Sequence, residues 1–211
     1  MLAELTSREE DGVELDVLVW RFRRPMFVAS TALVGGGLGP RNWAMNAEVT
    51  NDYRRTDVEV HVAAVAHALE LHGVGVGMLT AASVCQHEHS IEEGVDVDAT
   101  VGLSHPTWAA SDELVPSDEV ATGTINVVVF MPVRLDHGAM LNAIATATEA
   151  KSQALWEAAV PATGTPSDAV TIVCPLEGVS ARFAGPRSSW GSRLARAVHD
   201  AVLAGSTRAL S

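Results

Sequence analysis

The chain has 211 residues and a mass of 22.2 kDa, with 47% hydrophobic and 19% charged residues. That is the composition of one globular domain able to bury a full core, and it excludes a disordered chain. A formal net charge of -12, from 14 Lys+Arg against 26 Asp+Glu, argues against nucleic acid and anionic membranes as partners. No apolar run is long enough to span a bilayer; Phe27–Val34 and Ile125–Val133 are strand-sized. The first residues lack the basic start and apolar stretch of a signal peptide, with Glu9, Glu10 and Asp11 close behind, so the expected location is cytoplasmic. Cys85 and Cys174 belong to no CxxC unit and read as free thiols.

In chain order, residues 13–22 and Phe27–Val34 read as strands. Gly35-Gly36-Gly37-Leu38-Gly39-Pro40 then breaks regular structure. Asn42–Thr50 alternates as a half-buried strand. Thr56-Asp57-Val58-Glu59 has the spacing of a capping box and opens a helix with Val58, Val62, Val65 and Leu69 on one stripe. Gly73 lies where a C-cap glycine belongs. Strands are predicted over Gly75–Ser83, Val95–Leu103 and Thr122–Met131. Gln86–Gly94 and Ser104–Glu119 read as surface loops. The longest helix is predicted over Asp136–Ala159, halted by Pro161. A strand over Ala169–Cys174 follows, then a helix capped by Ser188 or Ser189 and running to about Ala204, with Trp190, Leu194, Ala197 and Ala201 on its apolar edge. Several strands follow one another without intervening helices. That pattern predicts an α+β fold: one domain over 1–211, with a mixed or mainly antiparallel sheet and about three helices packed on it.

No GxSxG elbow, HExxH helix or Walker loop is present. The Gly35–Gly39 run leads to a strand rather than a helix, which disfavours a dinucleotide site. It is either a plain turn or a bare-backbone loop admitting a bulky ligand, with Arg41 and Asn42 beside it as donors. His87-Glu88-His89 has the spacing for two imidazoles to meet one ion, but its acidic surroundings lack a third ligand, which favours a solvated loop. Asp57 and His61 share a helix face. The carboxylate could orient the imidazole as a general base, or could simply sit at the helix N-terminus beside an unrelated histidine. Asn142, Thr146, Glu149 and Gln153 form a polar stripe on the long helix, with Lys151 nearby. Thr163-Gly164-Thr165-Pro166-Ser167-Asp168 follows, as a polar site or as a plain loop.

Six blocks together resemble the adenosylcobinamide amidohydrolases of corrinoid salvage. They are Ser30–Trp43 continuing to Asn46, Tyr53–Asp57, Gly75–Ala82, Gly123–Asn126, Thr146–Lys151, and Thr163–Thr165 with Asp168, in the family's order over roughly residues 30–200. Pro166-Ser167 departs from the family pattern, which has Gly or Ala and then Thr before the acid. The resemblance implies hydrolysis of the amide joining the aminopropanol arm to the corrin propionate, giving adenosylcobyric acid and 1-amino-2-propanol. It implies a corrinoid small molecule as partner, with cobalt present only in the substrate, no further cofactor and no metal site. It leaves room for a homo-oligomer.

Roles follow from the chemistry of amide cleavage, which needs a nucleophile, an oxyanion stabiliser and an acid for the leaving amine. Glu149 and Asp168 are the expected catalytic carboxylates acting on water, with Thr163 or Thr165 as alternative covalent nucleophiles. Gly36, Gly37, Arg41, Asn42, Asn46, Asp57, His61, Asn126, Lys151, Thr163 and Thr165 are the expected substrate-binding residues. The alternative reading is a corrinoid- or nucleotide-binding protein without hydrolytic activity.

Overall fold

The computed structural model describes residues 2–112 and 123–211. Among them the elements run β1 (Glu4–Glu10), β2 (Val13–Ser30), β3 (Gly37–Glu48), α1 (Val58–Ala68), β4 (Gly75–Thr80), β5 (Glu88–Glu92), β6 (Val95–Val101), β7 (Ile125–Phe130), β8 (Arg134–Leu135), α2 (His137–Glu157), β9 (Ala169–Cys174), β10 (Ser180–Ala181) and α3 (Ser189–Ala209). One mixed sheet has the order β4-β3-β2-β9-β7-β6-β5, with β1 added beside the first half of β2; β8 and β10 form a small separate pair. The same arrangement occurs twice. An antiparallel pair (β2–β3, β6–β7) is followed by a helix and a strand that returns parallel to the second member (β4 on β3, β9 on β7). The architecture is therefore the predicted α+β class with three helices on a mixed sheet.

Strand alternation sorts the core. Val17, Val19, Trp43, Met45 and Ala47 face outward onto Val62, Val65 and Ala66 of α1. Val97, Ile125, Val127, Val129 and Ile172 face outward onto α2 and α3, including Met140, Ala147, Leu155, Leu194 and Val198. Leu18, Trp20, Val28, Ala44, Val76, Val128, Phe130 and Val173 fill the opposite, inner face. That face curls on itself. Asn46 of β3 donates to Thr100 of β6 at 2.8 Å, and Trp20 Nε1 of β2 donates to Asp98 Oδ2 of β6 at 2.8 Å. In a flat sheet β3 and β6 would stand about 19 Å apart, four strand spacings. Those side-chain bonds therefore require strong curvature.

Several sequence expectations are corrected. Residues 13–22 and 27–34 are not two strands: Val13–Ser30 is one long strand with an irregularity between Arg21 and Met26. The first strand, Glu4–Glu10, carries no apolar signal because it lies on the outer edge, mostly solvated. Gly37–Pro40 do not break structure but begin β3, pairing with Phe27–Ser30. The capping box is not formed; Asp57 is the N-cap of α1 and makes no side-chain cap bond. That helix closes at Leu69, with Glu70 rather than Gly73 taking the left-handed conformation next to it. Gln86–Gly94 is largely β5, an edge strand paired with β6. Residues 113–119 of the second expected loop, and Thr122, lie outside the described residues. The last helix continues through Gly205 to Ala209; Gly205 packs directly against Val101, where a side chain would not fit. Asn142 and Thr146 are not a wet stripe. Both bond the backbone of Ala184, and Thr146 is fully buried.

Candidate active site

The approach to β9 carries a dense polar cluster. Residues 163–168 link α2 to β9 and are pinned against residues 107–109: Thr107 N–H donates to Gly164 O at 2.8 Å, and Thr163 N–H to Thr107 O at 3.1 Å. Thr163 is spent in this seam, its hydroxyl accepting from Ala109 N–H at 2.8 Å and donating to Thr107 O. Asp168 lies at the centre of the cluster. Its Oδ1 accepts from Ile125 N–H at 2.9 Å and from the Thr165 hydroxyl; its Oδ2 accepts from Thr165 N–H at 3.1 Å and from Lys151 Nζ. The Lys151 and Asp168 side chains are only 6% and 10% exposed, so the ion pair sits in a largely dry setting. Gly164 closes over it. A Cβ there would collide with both Lys151 Nζ and Asp168 Oδ2, so only glycine allows the backbone to pass this close.

This cluster forms the floor of a groove of about 560 Å³, walled by Trp108, Thr148, Ser152, Thr163, Thr165 and Pro166. Lys151 reaches it from α2. Glu149, two residues earlier, leaves the helix about 200° away, since successive residues turn by about 100°. Glu149 is exposed, and no hydrogen bond or ion pair joins it to Asp168. Two positions on one helix turn are nearly opposite, so the structure pairs Asp168 with Lys151 rather than with Glu149.

On the other side of the 163–169 segment, the inner face of the sheet opens into a second cleft of about 230 Å³. Its wall is mostly apolar, from Ala32, Val34, Val49, Val58 and Met78, with Thr80, Thr124, Asn126, Ser167 and Tyr53 as polar groups. Asn126 uses both amide hydrogens, on Asn46 Oδ1 at 2.8 Å and Leu79 O at 3.2 Å, leaving its carbonyl oxygen for a ligand. Asn46, 1% exposed, is consumed between Asn126 and Thr100 and supports the wall rather than contacting the cleft. Ser167, one of the two residues that depart from the expected pattern, shares a 2.8 Å hydroxyl–hydroxyl bond with Thr124.

The remaining expected binding residues are dispersed. Arg41 donates to Gly35 O at 2.9 Å, Gly36 O at 2.9 Å and Pro40 O at 3.0 Å, so its guanidinium staples the glycine-rich turn. Gly35 adopts a left-handed φ of 69° there, while Gly36 packs on Ala32 O and Gly37 starts β3; none of the three lines either cavity. Asn42 lies against the Gly73 turn. Asp57 is exposed and forks onto Arg55 at 2.9 and 2.8 Å; those bonds hold its carboxyl below the usual value.

His61 is 3% exposed and its carboxylate partner is not Asp57. Its Nε2 lies 3.0 and 3.1 Å from the two carboxylate oxygens of Glu10 in β1, its Nδ1 meets the Tyr53 hydroxyl at 2.9 Å, and Arg8 donates to Glu10 Oε2 at 2.9 Å. Partial burial would raise Glu10, but hydrogen bonds from Arg8 and His61 outweigh it and hold the carboxyl below its ordinary value. Burial pushes the Tyr53 phenol up. Sequence reasoning missed this chain because Glu10 and His61 are 51 residues apart.

His87 and His89 do not face an open metal site. His89 Nδ1 and Trp20 Nε1 both bond the buried Asp98, at 2.8 Å each. Among the described residues no group of His, Cys, Asp and Glu side chains has the geometry to hold a metal ion. Among the same residues no helix is long and apolar enough to cross a membrane.

Comparison with known proteins places the chain in a family. Over 188 residues the chain is 25% identical to an adenosylcobinamide amidohydrolase of Methanosarcina mazei, covering 85% of this chain and 90% of that one. It is 35% identical over 114 residues to an adenosylcobinamide amidohydrolase of Halobacterium salinarum, a match spanning 52% of this chain and 49% of that one. The model of the adenosylcobinamide amidohydrolase family matches residues 2–211, so the curled sheet, its inner cleft and the Lys151–Asp168 groove all fall inside it. The chain belongs to the adenosylcobinamide amidohydrolase family.

Proposed function

We propose that the protein hydrolyses the amide between the aminopropanol arm and the corrin propionate of adenosylcobinamide. The products are adenosylcobyric acid and 1-amino-2-propanol, and the role is corrinoid salvage. The observation that carries this reading is the family match running through a groove whose floor holds Lys151 and Asp168 side by side. An ammonium has three donors, and Lys151 Nζ gives one to Asp168. The others can stabilise the oxyanion that develops on the amide carbonyl, in a site dry enough for that charge to count. Asp168 supplies the proton acceptor.

No resident metal or other cofactor is needed for this chemistry, and the small-molecule partner is the corrinoid substrate. The open walls, with Trp108 and Thr148 at the rim, suit a substrate far larger than the groove, held by its edge. The test is incubation of the purified, chelator-treated protein with adenosylcobinamide, followed by chromatography. Stoichiometric adenosylcobyric acid and 1-amino-2-propanol are expected. Binding without either product would instead favour a non-hydrolytic corrinoid carrier.

A further inference from the structure

We propose that Thr165 is the nucleophile, and that the reaction passes through an ester between its Oγ and the corrin propionate. This rests on the amide-hydrolysis reading above.

A carboxylate offers about four lone-pair positions. In Asp168 all four are taken inside the protein: Ile125 N–H and the Thr165 hydroxyl on Oδ1, Thr165 N–H and Lys151 Nζ on Oδ2. A water molecule would have to displace one of them before Asp168 could act on it. Of the four donors, two are backbone amides and one is an amine whose acylation would end in another stable amide. The fourth is a hydroxyl, already donating its hydrogen to the base.

Thr165 is half-exposed and lines the groove, while Asp168 is shielded beneath it. The nucleophile therefore stands at the surface and the base behind it, with a cation on the base's other oxygen. Thr163 does not have this geometry, because its hydroxyl is tied to the backbone of Thr107 and Ala109.

The step balances. Thr165 Oγ forms a bond to the amide carbon while its proton passes to Asp168. Lys151 meets the developing oxyanion. The C–N bond breaks as Asp168 returns the proton to the leaving amine, and the acyl group remains as an ester on Thr165. Acylation removes the Thr165 hydroxyl hydrogen from Asp168 Oδ1, so water takes that position and attacks the ester while Asp168 accepts its proton; the C–Oγ bond breaks, the proton returns to Oγ, and the product acid leaves, losing its remaining proton to solvent as the carboxylate.

The test uses the full chain with adenosylcobinamide and three variants. Thr165→Val keeps the shape and the backbone bond to Asp168 but has no hydroxyl. We expect kcat to fall by about a hundredfold or more, with KM within about threefold and the protein still folded. Thr165→Ser keeps the hydroxyl and should hold kcat within about tenfold of the unmodified protein. Thr165→Ala stands in where valine does not fold. Acid-quenched turnover of the unmodified protein or the serine variant, digested and weighed, should place any acyl group on the peptide bearing residue 165.

A valine or alanine variant within about tenfold of normal kcat overturns the proposal. So does a serine variant as inactive as the valine one, or an acyl group on any other residue. If the unmodified protein releases no amine at all, the hydrolytic reading itself has failed. If it turns over normally and only the valine result is contrary, the hydrolytic reading stands and the role of Thr165 alone falls.

Discussion

Lys151 and Asp168 form an ion pair in which both side chains are at least nine-tenths buried, one carried by α2 and the other by the mouth of the strand that α2 leads into. The connection between them, residues 158–167, is held against Thr107 by backbone bonds at Thr163 and Gly164. The pair is therefore part of the fold and part of the proposed chemistry at once.

Asp168→Asn should lower both. The neutral amide leaves the Lys151 ammonium buried without its counter-charge, and breaking a buried pair typically costs roughly 3–5 kcal/mol. Removal of the proposed base should cost about a hundred- to ten-thousandfold in kcat. A thermal melt and steady-state kinetics on the same preparation check both parts. A variant with normal turnover per folded molecule would return Asp168 to a purely structural role.

Glu149→Gln should change little. The side chain is exposed and departs from the far side of α2. A surface substitution of this kind falls within about 0.5 kcal/mol in stability, and kcat should stay within about twofold. A hundredfold loss in kcat would show that substrate, or a second copy of the chain, brings Glu149 into the reaction.

Gly164→Ala separates geometry from chemistry. No reacting group is altered, yet the added methyl would occupy the space held by Lys151 Nζ and Asp168 Oδ2. We expect kcat to drop by about a hundredfold, because small misplacements at a reacting centre are costly. Kinetics together with a crystal structure of the variant would show whether the ion pair has been pushed apart.

Glu10 gives a pH-dependent stability. Its carboxyl lies below the ordinary value of 4.5 in the folded chain. The stability it contributes is therefore complete above that value and is lost as pH falls through the lower folded one. Glu10→Gln should flatten the acid limb of a melting-temperature curve below about pH 4.5, with little change in the slope at neutral pH. An acid limb identical to that of the unmodified protein would mean that His61 and Arg8 do not hold Glu10 as drawn.

The double variant His87→Ala, His89→Ala should leave kcat within about twofold. His89 serves the buried Asp98 rather than an ion, and neither imidazole lines the groove. Turnover that vanishes in this variant and depends on added zinc would overturn the metal-free mechanism.

Local pattern made some of this legible and not the rest. The strand Ala169–Cys174 was readable to the residue, because a short run apolar but for Thr171, set between polar segments, has few other fates. The long helix was readable from its alanines and from Pro161. Lys151, Thr165 and Asp168 fall close enough in sequence for the loop between them to suggest a site. What spacing could not give was a partner from elsewhere in the chain. Asp57 is the local candidate for His61, yet β1 delivers Glu10 instead, through a strand whose mostly polar residues carry no core signal. Gln86–Gly94 misled for the same reason: an edge strand facing solvent on one side, with exposed Ile91, has the composition of a loop. The Gly35–Pro40 run misled in the other direction, since glycines permit a turn but do not forbid pairing on either side of it.

The side-chain bonds across the curled sheet, from Asn46 to Thr100 and from Trp20 to Asp98, tie together strands with three or fewer others between them in the sheet order. Fraying of β6 must also break buried bonds to β2 and β3, so none of the three can open alone without stranding polar groups in the interior. Backbone amides of β2, β3 and β6 should accordingly exchange with deuterium together, at the rate of whole-domain unfolding, while those of β1 and β5 at the margins exchange sooner. The inner cleft would then keep its walls through ordinary thermal motion, because its strands are clasped at both banks.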